Sequence, residues 1–377
     1  MQVSPTSALG AVGLDRLFLN VTEACNFRCT YCYARAATTA CADPLSLHKL
    51  RSLAREASAL GASSVLLSGG EPFVRPDFLD VVDAFADQGL QVSISTNGSL
   101  VDGATAKHLA KYDGLLFQVS LDGDRTSVES LAQVPGAFDH VVKGIDALCA
   151  AGHPIQLNCV LQTANYPDIP FLIRFAAERD IVLRLTLLST EYGRAREHPD
   201  ALSFDSLNRV ITAVHYARKA YPNVELNIPP LLLHPDDWFA ITPACGWARH
   251  MCGILADGSV TVCGLAIGHP ELVVGNVLTA PLTTMWNSAP LFTQLRSHTL
   301  ADISGICSEC PFLSACGGSC RLSAYVAGDG FCGANALCTE YAHAVTSSDT
   351  PVDDFPSRAL HLGLMSPPDA WRWNTLS

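Results

Sequence analysis

Charge is scarce in this chain. Only 16% of its 377 residues are charged, and 36 acidic residues outnumber 24 basic ones. The net charge of -12 offers no broad basic surface for phosphate, which argues against a nucleic-acid partner. No apolar run reaches the 18 residues a membrane-spanning helix needs, so no membrane partner is expected. The start, MQVSPTSALGAVGLDR, has no basic segment leading into an apolar one. No secretion signal is therefore expected, and the expected location is cytoplasmic. The 12 histidines are scattered without metal-ligand spacing. No internal repeat exists beyond an alternation of strands and helices.

Two things are abundant. Hydrophobic residues make up 49% of the chain, enough for a sizeable core, and there are 15 cysteines. In a reducing compartment structural disulfides are rare, so dense cysteines point to metal. Cys149, in DALCAAG, and Cys159, in IQLNCVLQT, suit small buried hydrophobes. Cys25, Cys29 and Cys32 form one dense group; nine more lie between Cys245 and Cys338.

From about 15 to 220 the pattern is strand, then helix, repeated. Strand-like runs fall at 17–22, 64–70, 90–98, 115–123, 154–163 and 181–189. Between them lie helical stretches such as SLHKLRSLAREASALG, PDFLDVVDAFADQG and FDHVVKGIDALCAAG, several ending at Gly. Six such units predict an α/β fold, a parallel sheet closed into a partial (β/α)6 TIM barrel with functional loops at the C-terminal strand ends. Residues 1–14 read as an arm, 221–243 as a Pro-rich linker, 244–340 as an irregular cysteine-rich domain supported by metal, and 341–377 as a tail. Trp371 and Trp373 in that tail are read as packing residues rather than a cap over the active site.

The first cysteine group, VTEACNFRCTYCYA, follows the first strand. Its three thiolates suit three corners of a cubane cluster, leaving one iron open to a small molecule. The plain alternative is a zinc loop, for which Cys41 is the only nearby fourth ligand. The Cys25-x3-Cys29-x2-Cys32 spacing, with Tyr31 before the last cysteine, resembles the radical S-adenosylmethionine (SAM) superfamily. Ser68-Gly69-Gly70-Glu71-Pro72 is similar to that family's GGEP motif. The resemblance implies close backbone approach at Gly69 and Gly70, and a charge from Glu71 for the methionine ammonium. Ser95 to Gly98 (STNG) and Ser120 to Gly123 (SLDG) resemble segments near the ribose and substrate. That makes Ser95, Asn97, Ser120 and Tyr31 candidate cofactor contacts and Asp122 a candidate catalytic residue. The family chemistry implied is reductive cleavage of SAM to a 5′-deoxyadenosyl radical, fed by a flavodoxin or ferredoxin.

The second group runs Cys307-x2-Cys310-x5-Cys316-x3-Cys320, with Gly258-x4-Cys263 upstream. A zinc ribbon would use four cysteines, not nine. The pattern resembles the SPASM extension, which holds two auxiliary 4Fe–4S clusters. The resemblance implies Cys245, Cys252, Cys263 and Cys320 at one, and Cys307, Cys310, Cys316 and Cys338 at the other. Cys332 is left over; it replaces Cys338 or is a free thiol. Sulfatase-maturing members carry an Asp after the G-x4-C cysteine, where Gly264 stands here, which argues against that activity. The resemblances that remain are to peptide maturases of the PQQ, mycofactocin and sactipeptide kind, and to the haem d1 enzyme.

The expected function is radical oxidation or cross-linking of a ribosomally made peptide, with three 4Fe–4S clusters, two of them an electron relay. Only some 15 residues precede the first strand, so a leader-binding module is expected to be either absent or a separate protein. The alternatives are oxidation or epimerisation of a small metabolite, and a non-catalytic iron–sulfur electron carrier. A carrier needs neither GGEP nor an open iron. For epimerisation, Cys332, Cys159 and Cys41 are the candidate hydrogen donors.

Overall fold

The computed structural model describes residues 13–36, 43–197, 199–234, 236–237, 246 and 248–346. Six strands form where apolar runs predict them: β1 (Arg16–Asn20), β2 (Ser64–Ser68), β3 (Gln91–Thr96), β4 (Leu116–Ser120), β5 (Ile155–Leu161) and β6 (Val182–Leu187). They pair in sequence order, all parallel. Each crossover is helical, as parallel pairing requires.

The helices are α1 (Leu47–Ala59), α2 (Phe78–Ala86), α3 (Gly103–Leu109), α4 (Arg125–Ala132), α5 (Ala137–Ala150), α6 (Ile169–Ala177) and α7 (Phe204–Arg218). Helix α1 buries Leu50, Leu53, Ala54 and Ala57, a stripe at spacings of three and four. Its N-cap Ser46 accepts from Lys49 N; Asp102, Asp124 and Ser203 cap α3, α4 and α7 in the same way.

Four further strands complete a ten-stranded sheet in the order β10-β9-β8-β1-β2-β3-β4-β5-β6-β7. Strand β7 (Val224–Asn227) lies inside the stretch expected to be a linker and pairs parallel with β6. Four residues flanked by prolines carry too little alternation to be read as a strand. Strand β8 (Met251–Ile254) pairs parallel with the free edge of β1, and β9 (Ser259–Thr261) and β10 (Val273–Asn276) follow antiparallel. The first part of the cysteine-rich region is thus an extension of the barrel sheet. Beyond it come α8 (Leu282–Ser288), α9 (Pro290–Ser297), the four-residue α10 (Leu313–Cys316) and α11 (Arg321–Ala324), and α12 (Ala336–Thr346). Among the described residues no helix is long and apolar enough to cross a membrane. Trp371 and Trp373 lie outside the described residues.

Candidate radical and iron–sulfur sites

The loop after β1 carries Cys25, Cys29 and Cys32. It is pinned from two sides. Arg28 N and Thr30 N donate to Ala132 O and Leu131 O at the end of α4, both at 3.0 Å. From the loop after β6, Arg194 Nε donates to Cys29 O at 2.7 Å, Nη1 to Ala36 O at 3.0 Å, and its backbone N to Cys32 O at 3.0 Å. Gly193 lies so close that a Cβ there would stand 2.1 Å from Cys32 O. Sequence reasoning missed Gly193 and Arg194. The available signal was a Gly-Arg pair at the same end of the sheet as the recognised motifs.

None of the described cysteines forms a disulfide. Burial pushes the Cys25 thiol up to about 11 and raises Cys29 further, aided by the Asp122 charge. Cys25 and Cys29 are thus costly to ionise unless a cation compensates them, which fits ligation of iron. Phe27 N points at Cys25 Sγ from 3.3 Å, and Asn97 Nδ2 lies 4.0 Å from it.

The three cysteines border a cavity of about 120 Å³. Tyr31, Gly69, Gly70, Ser95, Asn97, Ser120 and Asp122 also line it, so the strand ends of β1 to β4 converge on one space. Gly69 has φ +135°, and a Cβ there would stand 2.3 Å from Thr22 O; at Gly70 it would stand 2.1 Å from Ala24 O. Both glycines are thus required by the neighbouring backbone as well as by the cavity. Asp122 Oδ2 accepts from Tyr31 OH and its Oδ1 from Val160 N at 2.9 Å, while burial holds its carboxyl up at about 6.

Glu71 lies just behind this cavity. Its carboxylate is fully buried and is not among the groups lining the cavity. Oε1 accepts from Phe73 N at 3.1 Å and Thr96 OH at 2.8 Å, and Oε2 accepts from Asn97 N at 2.7 Å. The carboxylate thus faces the end of β3, where Asn97, one of its donors, lines the cavity. Burial nonetheless pushes it up to about 7.

In the cysteine-rich region, Cys307, Cys310, Cys316 and Cys338 line one small pocket. Burial raises the Cys338 thiol, and the neighbouring Cys307, Cys316 and Cys310 raise it further. Cys332 borders a different cavity, of about 220 Å³, with Arg249 and His298. Cys252 sits on β8 beside Gly253, which packs on the Cys263 backbone. Cys263 and Cys320 both act electrostatically on the buried Tyr192, next to Gly193. Cys245 lies outside the described residues, as does Cys41. Cys159 is fully buried and is not among the groups lining the 120 Å³ cavity; Asn165 Nδ2 approaches its sulfur at 3.7 Å. At Gly264 a Cβ would stand 2.4 Å from the Phe18 ring, so an acidic side chain has no room there.

Residues 19–176 match the Radical SAM superfamily model, and residues 245–311 match the SPASM iron-sulfur cluster-binding domain. The chain belongs to the radical SAM superfamily, a family of enzymes built round a 4Fe–4S cluster and SAM. Within it, the chain falls in the SPASM subgroup, whose extension binds further iron–sulfur clusters. The mycofactocin maturase MftC of Mycobacterium ulcerans is 29% identical over 87% of this chain and 89% of its own. The AdoMet-dependent heme synthase of Methanosarcina barkeri is 26% identical over 81% and 91%. The PqqA peptide cyclase of Methylorubrum populi is 28% identical over 82% and 80%. Among solved structures, Streptococcus suis SuiB bound to its precursor peptide SuiA shares the fold. It aligns with a TM-score of 0.69 at 20% identity, over 87% of this chain and 76% of that one.

Proposed function

We propose that this chain is a radical SAM oxidoreductase that oxidises or cross-links a ribosomally made peptide. The observation that carries the reading is the convergence of Cys25, Cys29 and Cys32 with the ends of β2, β3 and β4 on one cavity, with a second thiol group at Cys307, Cys310, Cys316 and Cys338. The peptide class is supported by the relatives named for MftC and for PqqA cyclisation, and by the SuiB–SuiA complex. When bound, the cluster and SAM supply a one-electron cleavage and a primary carbon radical that takes a hydrogen atom from the substrate.

The chain's own residues do the rest. Cys25, Cys29 and Cys32 would hold the cluster through three thiolates, with the methionine moiety of SAM beside it. Gly69 and Gly70 let backbone line that side of the cavity. Ser95, Asn97 and Ser120 offer hydrogen-bonding groups along the strand ends. The bond between Tyr31 and Asp122 fixes both side chains at the wall shared with the fourth strand. Glu71 acts at one remove, by holding Asn97 and Thr96 in place. Cys245, Cys252, Cys263 and Cys320 hold one auxiliary cluster, and Cys307, Cys310, Cys316 and Cys338 the other. Clusters bound at these thiols would supply an acceptor for the electron that an oxidised substrate gives up, its proton passing to solvent. The working domains are then residues 15–220 and 244–340, inside the cell, with a flavodoxin or ferredoxin as reductant.

The test is anaerobic incubation of reconstituted protein with SAM, dithionite and the short peptides encoded beside its gene. Formation of 5′-deoxyadenosine with a peptide product lighter by two hydrogens is expected. A product of unchanged mass carrying one deuterium from heavy water would replace oxidation by epimerisation. The match to the heme synthase over most of both chains favours one second reading, a small-metabolite substrate. Failure of every neighbouring peptide, with turnover of a tetrapyrrole, would establish it.

A further inference from the structure

Among the described residues two arginines are buried, and their surroundings differ. Arg75 on the barrel side donates to Asp77 at 3.0 Å and lies 3.5 Å from Asp43. Arg321 is fully buried, directly after Cys320 at the start of α11. Its Nη1 donates to Gly333 O at 2.6 Å and Phe331 O at 3.3 Å, and its Nη2 to Gly318 O. Its Nε has no partner, and no carboxylate among the described residues pairs with it. A buried guanidinium facing only carbonyl dipoles is strongly unfavourable unless an anion compensates it.

Among the described residues no side chain supplies that anion, and the nearest anionic group the structure offers is a set of thiols. Gly318 lines the pocket shared by Cys307, Cys310, Cys316 and Cys338. The Arg321 guanidinium stands directly behind it: a Cβ on Gly318 would be 2.6 Å from Nη2. A cubane held by four thiolates is itself an anion, and more so when reduced, and its potential depends on nearby charge.

We propose that Arg321 is the internal counter-charge of the auxiliary cluster at Cys307, Cys310, Cys316 and Cys338, and that it sets that cluster's reduction potential. This rests on the reading that those four thiols hold a cluster. A positive charge behind the pocket favours the reduced, more negative state. The cluster is thereby made a better acceptor for the electron released by an oxidised substrate.

The experiment uses the full chain with Cys25, Cys29 and Cys32 changed to Ala, so that only auxiliary clusters remain. Arg321→Lys and Arg321→Met are compared in that background by iron content and by EPR-monitored redox titration. The signal followed is the one that Cys310→Ala removes. Both variants lose the guanidinium fork, and only lysine keeps the charge. Arg321→Met is expected to hold about tenfold less reduced cluster at the parent's midpoint, a shift of about 59 mV to lower potential. Arg321→Lys is expected to stay near the parent. Iron retained by the lysine variant but lost by the methionine variant would support the same conclusion. Equal potentials at equal iron, or iron lost from both variants, would overturn it and leave Arg321 as a scaffold. A parent with no iron at these thiols would instead defeat the cluster reading beneath it.

Discussion

Between β1 and β7, the helices lay apolar stripes on a parallel sheet, and one continuous core runs from Leu14 through Leu226. The extension up to α9 still joins that core through Trp286 and Phe292. Past residue 300 the organisation changes. A second cluster there holds only Ile303, Cys307 and Ala334, with Ile306 and Leu313 against it, and two of the three helices are four residues long. The barrel is stabilised by area removed from water. The segment from Gly305 to Cys338 sends only Leu322 and Phe331 as buried residues into that main core, and four of its cysteines surround a pocket. The same residue type therefore has different duties in the two regions. In the first it equips an already stable scaffold, and in the second it is the scaffold.

Removing iron is the most direct way to break that contrast. Anaerobic chelation should leave the amides of β1 to β6 as protected from hydrogen exchange as before. Amides between Gly305 and Cys338 should exchange almost as in an unfolded chain, since metal binding there is folding. Equal protection in both forms would show that the second region has a core of its own.

The converse perturbation should be sharp in chemistry and mild in structure. Changing Cys25, Cys29 and Cys32 together to Ala should remove about four of about twelve irons and abolish 5′-deoxyadenosine formation. The thermal transition of the barrel should move little, because Cys25 and Cys29 only fringe its core, while Phe27, the buried residue of that loop, is kept. A variant that still cleaves SAM would place the radical site elsewhere.

How much of this was legible beforehand follows the same division. The six barrel strands were readable because fully buried parallel strands are continuous apolar runs, and the first two motifs lie at their ends. The strands β7 to β10 were not, since each is three or four residues long, β7 lies in a Pro-rich stretch read as a linker, and Cys252 on β8 reads as a metal ligand. The orientation of Glu71 was hidden for a different reason. A carboxylate in a recognised motif says nothing of which way its side chain turns, and here three donors claim it. Arg194 was invisible because its partners are carbonyls far away in sequence, at Cys29 and Ala36.

Glu71 sharpens the picture of the barrel site with a smaller effect. Glu71→Ala strands the Phe73, Thr96 and Asn97 donors, at about 2 kcal/mol of stability, and should weaken SAM binding with iron content unchanged. Glu71→Gln separates charge from shape. Burial raises the native carboxyl from 4.5 to about 7, so the native state holds its proton more tightly than the unfolded chain. That contribution is complete below about 4.5 and is lost as pH rises to about 7. Glu71→Gln never ionises, so its stability relative to wild type should rise between pH 4.5 and 7 by at most about 1.4 kcal/mol per unit, then level off. Urea midpoints at four pH values measure this. A constant difference would mean that Glu71 is already ionised at low pH and is held by its donors rather than penalised by burial.

The smallest expected effect is at Cys332, and it tests whether the second region commits all its thiols to metal. Cys338 shares its pocket with Cys307, Cys310 and Cys316, whereas Cys332 borders the separate cavity with Arg249 and His298. Ligation by Cys332 would require that stretch to swing across, breaking the bonds from Ser304 N and Ser304 OH to the Cys332 carbonyl, at 2.8 and 3.2 Å. Cys338→Ala should therefore cost about a third of the iron, while Cys332→Ser should cost none and leave every cluster signal in place. The same variant bears on chemistry. A thiol that quenches a substrate radical must reach it, and Cys332 is not among the groups lining the cavity of Cys25, Cys29 and Cys32. Turnover by Cys332→Ser at the wild-type rate, with a product still lighter by two hydrogens, is the expected result. Loss of turnover with all clusters intact would make Cys332 a hydrogen donor, and would turn the second region from an electron store into part of the active site.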